Sequence, residues 1–489
     1  MPLEDIRNER LEKLASYRKA GFDAYPASVK RTHAIAEAHK NFSKLARAGK
    51  AVSLTGRVMA LREHGGSTFA NLKDESGMMQ VYFKEDALGP KDYRLFLDTA
   101  DIGDFIETSG HLFKTKRGEE TLEVLEWRML AKSLRPLPEK WHGLQDVEER
   151  FRKRYLDLVM NDKVKSRFLA RTRLVSLVRS FLEKSGFTEF ETPILHAIPG
   201  GALAHPFKTR HNALASDLFL RIAPELYLKR LLIGGFEKIY ELGRNFRNEG
   251  IDVTHNPEFT MLELYAAWWD EEDMMKFVEK FFVSLVKDFF KKSEFEYEGN
   301  SILVKLPFKR ISFKELLKKY ALISDYEAMD LKRMASEATR LGIEVEKHDT
   351  KGKLADEIYK KICRPHLVEP TFVVHHPIEI SPLAKERPDN PDEVRRFQLI
   401  VAGLELANGF AELNDPIEQR MRFLAQKKGR GGGEEEAHPM DEEFIEAMEY
   451  GMPPAAGLGV GIDRLAMLLT NTHNVKEVIL FPTMKPKHK

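Results

Sequence analysis

A chain of 489 residues, 43% hydrophobic and 31% charged, is long enough for two or more domains with sizeable cores. Its 77 Lys and Arg balance 76 Asp and Glu to a net charge of +1, so bulk charge announces no nucleic-acid partner, and any such surface must be local. The single cysteine, Cys363, excludes intramolecular disulfides and Cys-rich zinc sites, and an N-terminus without an apolar run predicts neither signal peptide nor membrane span, hence a soluble cytoplasmic protein.

Residues 1 to about 25 predict a helix with Leu11, Leu14 and Tyr17 on one side, ending near Gly21. A polar connector follows to Lys50. From Ala51 to Leu134 the pattern changes to short strands: Val52, Leu54 and Val58 share a parity, as do Met79, Val81 and Phe83, with turn signals at His64-Gly65-Gly66, Glu75-Ser76-Gly77 and Arg117-Gly118. Five short strands in about 85 residues point to a small closed barrel such as an OB-fold. With Met79, Val81 and Phe83 inward, Gln80 and Tyr82 point outward; with Ala70 and Leu72 inward, so do Phe69 and Asn71. An outward Phe beside an outward Gln suits single-stranded nucleic acid, the ring as a stacking platform and the amide as a base-edge reader. The pattern equally allows a Phe covered by the N-terminal helix or by a second domain.

Residues 135–149 read as a Pro-rich hinge, and 150–489 as one large domain. Its opening carries Arg150, Arg152, Lys153 and Arg154, either a solvated helix face or a local surface against a nucleic-acid partner. Phe168 to Lys184 has helical spacing, and Gly186 to Pro193 predicts a strand ending at the proline. Asn245, Arg247 and Glu249 share a parity, as do Phe259, Met261, Glu263 and Tyr265, on either side of a polar loop containing Gly250 and Asn256-Pro257. An antiparallel hairpin gathers Arg247, Glu249, His255, Phe259, Glu263 and Tyr265 around one cleft, a set able to hold an anion, a flat ring and a cation together. So many polar groups on one face are costly in a core, which favours a site. Helical patterns dominate from about 271 to 370. Asn408, Phe410 and Glu412 share a parity, Lys428 to Glu436 predicts a flexible loop, and Asp463 is placed to cap a helix through Leu465, putting Arg464 in its first turn. The alternating glycines of Gly457 to Gly461 leave room for a ligand against bare backbone, and their spacing is not a dinucleotide fingerprint.

The stretch from Phe246 to Trp269 resembles motif 2 of the class II aminoacyl-tRNA synthetases, Gly457 to Leu465 their motif 3, and Gly186 to Pro193 their motif 1, which builds the dimer interface in that family. The resemblance is closest to the class II lysyl-tRNA synthetases, over essentially the whole chain and in domain order. It implies an α+β chain: an N-terminal OB-fold β-barrel that binds the anticodon, and a catalytic domain built on an antiparallel sheet flanked by helices, with a variable helical insertion at about 271–370. It also implies a homodimer acting on lysine, ATP and lysine tRNA with Mg2+. No HIGH-like or KMSKS-like run occurs, so the class I lysyl enzyme is not a match.

The residue roles implied by the resemblance follow motif by motif. Arg247 bridges the α-phosphate and the amino-acid carboxylate. Phe259 and Arg464 sandwich the adenine, while Glu249, His255, Asn256 and Gly461 line the nucleotide. Gly201 meets the α-amino group through its backbone with Glu225 beside it, in Ile222-Ala-Pro-Glu225, where aspartyl and asparaginyl enzymes carry Gln. Glu225, Glu263 and Glu412 form an acidic pocket walled by Tyr265, Asn408 and Phe410, and a buried ammonium needs such paired carboxylates. Glu405 binds magnesium. Phe69, Gln80 and Glu119 match anticodon readers. Two positions depart from the family: Gln398 stands where a second metal-binding Glu is usual, and Thr254 where many bacterial members carry Arg. The alternatives are an aspartyl or asparaginyl enzyme, a lysyl-modification paralogue, which lacks the barrel, and a catalytically weakened regulatory homologue.

Overall fold

A computed structural model of the chain describes residues 2–138, 146–202, 204–346, 349–429 and 440–487, and the chain divides into two units, Met1–Gln145 and Asp146–Lys489. In the first, strict alternation of apolar residues produces five strands, Val52–His64, Ser67–Lys73, Met78–Lys84, Phe105–Lys114 and Glu120–Ala131. They close into a barrel in which the fifth strand lies between the third and fourth, parallel to the third through Gln80 and Thr121. Ala70, Leu72, Met79, Val81 and Phe83 fill its interior with Ile106, Leu122 and Val124. A helix at Pro90–Thr99 adds Tyr93 and Phe96, the latter stacked on Phe83 with ring centroids 3.8 Å apart.

The N-terminal helix, Leu3–Lys19, buries Leu14 and Tyr17 against Met129, whose amide donates to the Tyr17 hydroxyl at 2.9 Å. The expected polar connector is instead two short helices, Ile35–Lys40 and Phe42–Ala48. Ile35, Ala38 and Phe42 join the barrel core, and so few apolar residues leave no readable period in sequence.

In the second unit the strands run across one sheet in the order Lys309–Ser312, Thr371–Pro377, Glu393–Val401, Leu404–Ala411, Ala455–Gly461, Glu258–Ala267, Lys238–Phe246 and Thr188–Glu189. The six inner strands are antiparallel. Both edge strands pair in parallel, so the expected antiparallel sheet is mixed at its two edges; each edge strand reaches its neighbour through a long connection that contains helix, as parallel pairing requires. Leu174, Val178 and Leu182 of the Asp162–Lys184 helix and Met274, Phe281 and Leu285 of the Glu271–Phe290 helix cover one face, packing on Leu262, Leu264, Leu399 and Leu458. Period two then sends Phe259, Met261, Glu263 and Tyr265 to the other face.

Four further expectations change. The strand expected from Gly186 to Pro193 pairs only at Thr188–Glu189, because Thr192 turns its amide and hydroxyl to Glu241 at 3.1 and 2.7 Å. The 271–370 insertion is not helical throughout: Glu294–Tyr297 and Asn300–Leu303 form a hairpin that buries Phe295, Tyr297 and Ile302, and Lys309–Ser312 joins the sheet. Its helices enclose a separate core around Phe313, Met334, Tyr359 and Cys363, and burial pushes the Cys363 thiol up to about 12. Of the Lys428 to Glu436 segment, Lys428 and Gly429 end the Pro416–Gly429 helix and 430–436 lie outside the described residues, as do 139–145 of the hinge. The basic cluster is divided between a buried arginine and paired side chains that remain partly or fully exposed. Arg154 is fully buried and donates to the Lys476 and Leu480 carbonyls, while Arg150, Arg152 and Lys153 pair with Asp157, Glu148 and Glu149.

Candidate active site

The site begins with the hairpin register. Asn245 pairs with Phe259, Glu241 with Glu263 and Ile239 with Tyr265, so the second strand carries its polar row on the open face. Beyond the strand end the Arg247 amide still donates to Pro257 at 2.8 Å, which holds the arginine over Phe259, guanidinium carbon to ring centroid 5.1 Å. Burial lowers the Arg247 pKa, with Glu249 and Glu263 opposing, and its Nε donates to the Ile222 carbonyl at 3.4 Å. Glu249 is exposed in the loop, and the Asn256 side-chain amide donates to the Glu258 carbonyl at 2.6 Å.

The Ile462–Leu469 helix starts directly after the glycine-rich strand and puts Arg464 in its first turn. Arg464 donates to the Glu405 carbonyl at 3.3 Å and to His255 at 3.0 Å, and Gly461 lies under its side chain. Asp463 does not cap this helix, contrary to expectation. It accepts from the Thr260 amide and from Arg171, both at 2.7 Å, and so fastens the helix to the motif 2 strand.

The glycine strand lies between two rows of side chains: Gly459 pairs with Glu263 and Asn408, and Gly457 with Tyr265 and Phe410. A Cβ at Gly457 would stand 2.1 Å from a Glu412 carboxylate oxygen and 2.6 Å from the Tyr265 ring. The space expected for a ligand is therefore already taken at Gly457 by the protein's own groups. Tyr265 donates to Glu263 at 3.0 Å. Glu225 begins the Glu225–Ile233 helix, beside Gly201, where a φ of +88° and the 2.9 Å that a Cβ would leave to the Glu225 Cβ exclude other residues. Lys229, one turn on, was missed in sequence. It is fully buried with Nζ 2.7 Å from Glu225, 2.5 Å from Glu412 and 5.6 Å from the Phe410 ring centroid. An i, i+4 Glu–Lys pair was the available signal, and such pairs are common on solvated helix faces. The Glu412 contact is an ion pair without a directed hydrogen bond. Burial pushes Glu412 up to about 8, Lys229 pulling against it and Glu225 adding to it; burial and then Glu225 push Glu263 up to about 8 as well.

Two arginines missed in sequence brace this cluster: Arg221 pairs with Glu241, and Arg396 donates to Asn408 at 2.8 Å and to Ser381 at 2.9 Å. A register shift between Leu399 and Ile400 sets Glu405 opposite Ile400, on the same face as Gln398 and Asn408. Gln398 is buried, and its side-chain oxygen accepts from Tyr359 at 2.9 Å. Among the described residues no three His, Cys, Asp or Glu side chains stand together as a metal cage. Magnesium is commonly held by one or two carboxylates together with phosphate oxygens. The partly exposed Glu405 carboxylate, 3.7 Å from Arg364, is a hard oxygen donor of that kind.

On the barrel, Phe69 pairs with Tyr82 and Asn71 with Gln80, placing all four on the outer face, with the Phe69 and Tyr82 rings 4.6 Å apart. Phe69 and Gln80 remain partly exposed. Glu119 is exposed in the turn before the Glu120–Ala131 strand, two residues ahead of Thr121, the partner of Gln80.

Comparison with known proteins matches residues 52–137 to the OB-fold nucleic acid binding domain and residues 146–485 to the tRNA synthetases class II (D, K and N). The chain is 49% identical over 485 residues to the lysine–tRNA ligase of Carboxydothermus hydrogenoformans, covering 99% of both chains. It is 48% identical to that of Moorella thermoacetica, covering 99% of this chain and 98% of the relative. With that of Aquifex aeolicus it shares 49% identity, over 90% of this chain and 74% of the relative. A barrel of the nucleic-acid-binding kind, a motif 2 hairpin tied to a motif 3 helix, and full-length identity close to one half place the chain in the class II tRNA synthetase family of the D, K and N group.

Proposed function

We propose that the chain is a lysine–tRNA ligase that activates lysine with ATP to lysyl-adenylate, then transfers the lysyl group to the 3′ end of lysine tRNA, releasing pyrophosphate and AMP. The observation that carries this reading is the buried cluster of three carboxylates, Glu225, Glu263 and Glu412, beside Tyr265 on the open face of the sheet. An ammonium taken out of water needs paired carboxylates, whereas a site for aspartate or asparagine would be repelled or left unpaired by them.

The chemistry requires no protein nucleophile. The lysine carboxylate attacks the α-phosphate, and the terminal ribose hydroxyl of tRNA attacks the adenylate. The protein contributes orientation and electrostatic stabilisation. Arg247 serves both negative partners of the first step, since it lies between the Phe259 ring and the acidic cluster and is always a cation. Phe259 and Arg464 hold the adenine between them, and His255, Asn256 and Glu249 contact the nucleotide. Glu405 would hold magnesium, which neutralises charge on the phosphates when bound. Glu225 and the Gly201 backbone take the α-amino group, and Glu263 and Glu412 with Tyr265, Asn408 and Phe410 take the side chain. Phe69, Gln80 and Glu119 read the anticodon. The active form is a cytoplasmic homodimer joined through the motif 1 region.

Charging of a lysine tRNA transcript with labelled lysine tests the reading. Lysyl-tRNA should accumulate only with lysine and ATP together, and failure to charge that tRNA while charging an aspartate or asparagine tRNA would reverse the assignment.

A further inference from the structure

Lys229 has no role in the function proposed above, yet it is the cation most committed to the acidic cluster. Its side chain is 0% exposed. It follows Glu225 by one helical turn, so the ion pair within the helix brings the ammonium inward, where Glu412 meets it from the end of the Leu404–Ala411 strand. Burying a lysine costs several kcal/mol unless carboxylates surround it, and here two do.

The charges of this trio decide what the pocket can accept. Once Glu412 gives up its proton to an arriving substrate, two carboxylates and one ammonium sum to one negative charge, which matches one incoming ammonium. Without Lys229, Glu225 and Glu412 would be neighbouring carboxylates in a dry site. Such pairs do not both ionise near neutral pH; they share a proton. A shared proton leaves a weaker acceptor for a substrate ammonium and a better host for neutral side chains. The other charged groups facing the cluster cannot replace Lys229. Arg221 is held by Glu241, Arg247 lies over Phe259, and the Glu258–Ala267 strand contributes Glu263 and Tyr265, which add acidity.

We propose that Lys229 is a positioning residue for amino-acid specificity, an internal counter-ion that lets Glu225 and Glu412 carry charge together when a substrate ammonium arrives. This deepens the lysine reading and rests on it. Burial and Glu225 already push Glu412 up against the pull of Lys229, so loss of that pull moves it further in the same direction. The effect of losing Lys229 is therefore largest at neutral pH and fades as alkali ionises the pair.

The test compares Lys229→Met and Lys229→Arg in the full chain, measuring the lysine and ATP Michaelis constants in lysine-dependent ATP–pyrophosphate exchange. The Met variant should raise the lysine constant about tenfold or more near pH 7, with the gap to the unaltered chain narrowing towards about pH 9 and the ATP constant within about twofold. The Arg variant, which keeps the charge, should keep the unaltered pH dependence whatever its bulk does to affinity. A Met variant with an unaltered lysine constant overturns the proposal, as does a rise of equal size at both pH values, which would mark a packing role. If the Met variant does not fold, Lys229→Gln, neutral but polar, is read in the same way. Absence of lysine-dependent exchange in the unaltered chain would overturn the lysine reading itself, a result separable from the others.

Discussion

Arg464 reaches His255 across 209 positions of sequence, its Nη2 donating to the imidazole Nε2 at 3.0 Å, while Nδ1 lies 2.7 Å from Asp252. An arginine can only donate, so Nε2 must be the acceptor and Nδ1 carries the hydrogen towards Asp252. The motif 2 loop thereby fixes the orientation of the motif 3 arginine ahead of nucleotide binding.

His255→Ala should therefore weaken ATP binding by about 1–2 kcal/mol, through loss of this contact and of its own reach to the nucleotide. The ATP Michaelis constant in exchange should rise while that for lysine stays near its original value. An unchanged ATP constant would remove His255 from the nucleotide site.

Asp463 is predicted to matter for stability first. Asp463→Ala leaves the Thr260 amide without its acceptor and Arg171 without its carboxylate, with only the Thr260 hydroxyl still accepting from it, a loss of about 2–4 kcal/mol. Urea unfolding followed on the catalytic unit should show the lowered midpoint, and an unaltered midpoint would contradict the fastening role.

Phe69→Ala should weaken binding of lysine tRNA by about 1–3 kcal/mol, the usual size of a base-stacking contribution. Exchange activity, which involves only lysine and ATP, should be retained. Unchanged tRNA affinity would mean that the ring serves only to pack on Tyr82, 4.6 Å away.

Glu263 and Glu412, both pushed up to about 8, make lysine binding pH-dependent. Below that value they hold protons that an arriving ammonium must displace, so lysine affinity should climb as pH rises towards about 8 and level off above it. The same groups have folded-state values above the ordinary carboxyl range, so the folded chain holds more protons than the unfolded one. Their contribution to stability is then full at acid pH and lost as pH rises through about 8, and saturating lysine should offset that loss. Calorimetry in buffers of different ionisation enthalpy should detect proton release on binding at about pH 7, and no release would contradict these shifts.

Much of this was legible in sequence because period-two alternation is simple. Val81 and Phe83 against Gln80 and Tyr82, or Leu262 and Leu264 against Glu263 and Tyr265, assign the two faces of their strands by parity alone. What was not legible depends on long-range packing. Asp463 has the sequence position of a cap, and only the neighbouring strand reveals its acceptor role to Thr260. Lys229 looks like half of a surface ion pair until Glu412 arrives from a strand nearly two hundred residues away. The shift that brings Glu405 to the open face interrupts the parity by which it would have been placed. The short helices at Ile35–Lys40 and Phe42–Ala48 are recruited by the barrel rather than by their own periodicity.

The claim that a buried carboxylate cluster selects lysine is tested most directly by ATP–pyrophosphate exchange with each of the twenty amino acids in turn. Strong exchange is expected with lysine and background exchange with aspartate and asparagine, and Glu412→Gln should raise the lysine Michaelis constant by an amount worth about 2–5 kcal/mol. Exchange driven by aspartate or asparagine, or a Glu412→Gln variant indistinguishable from the unaltered chain, would contradict it.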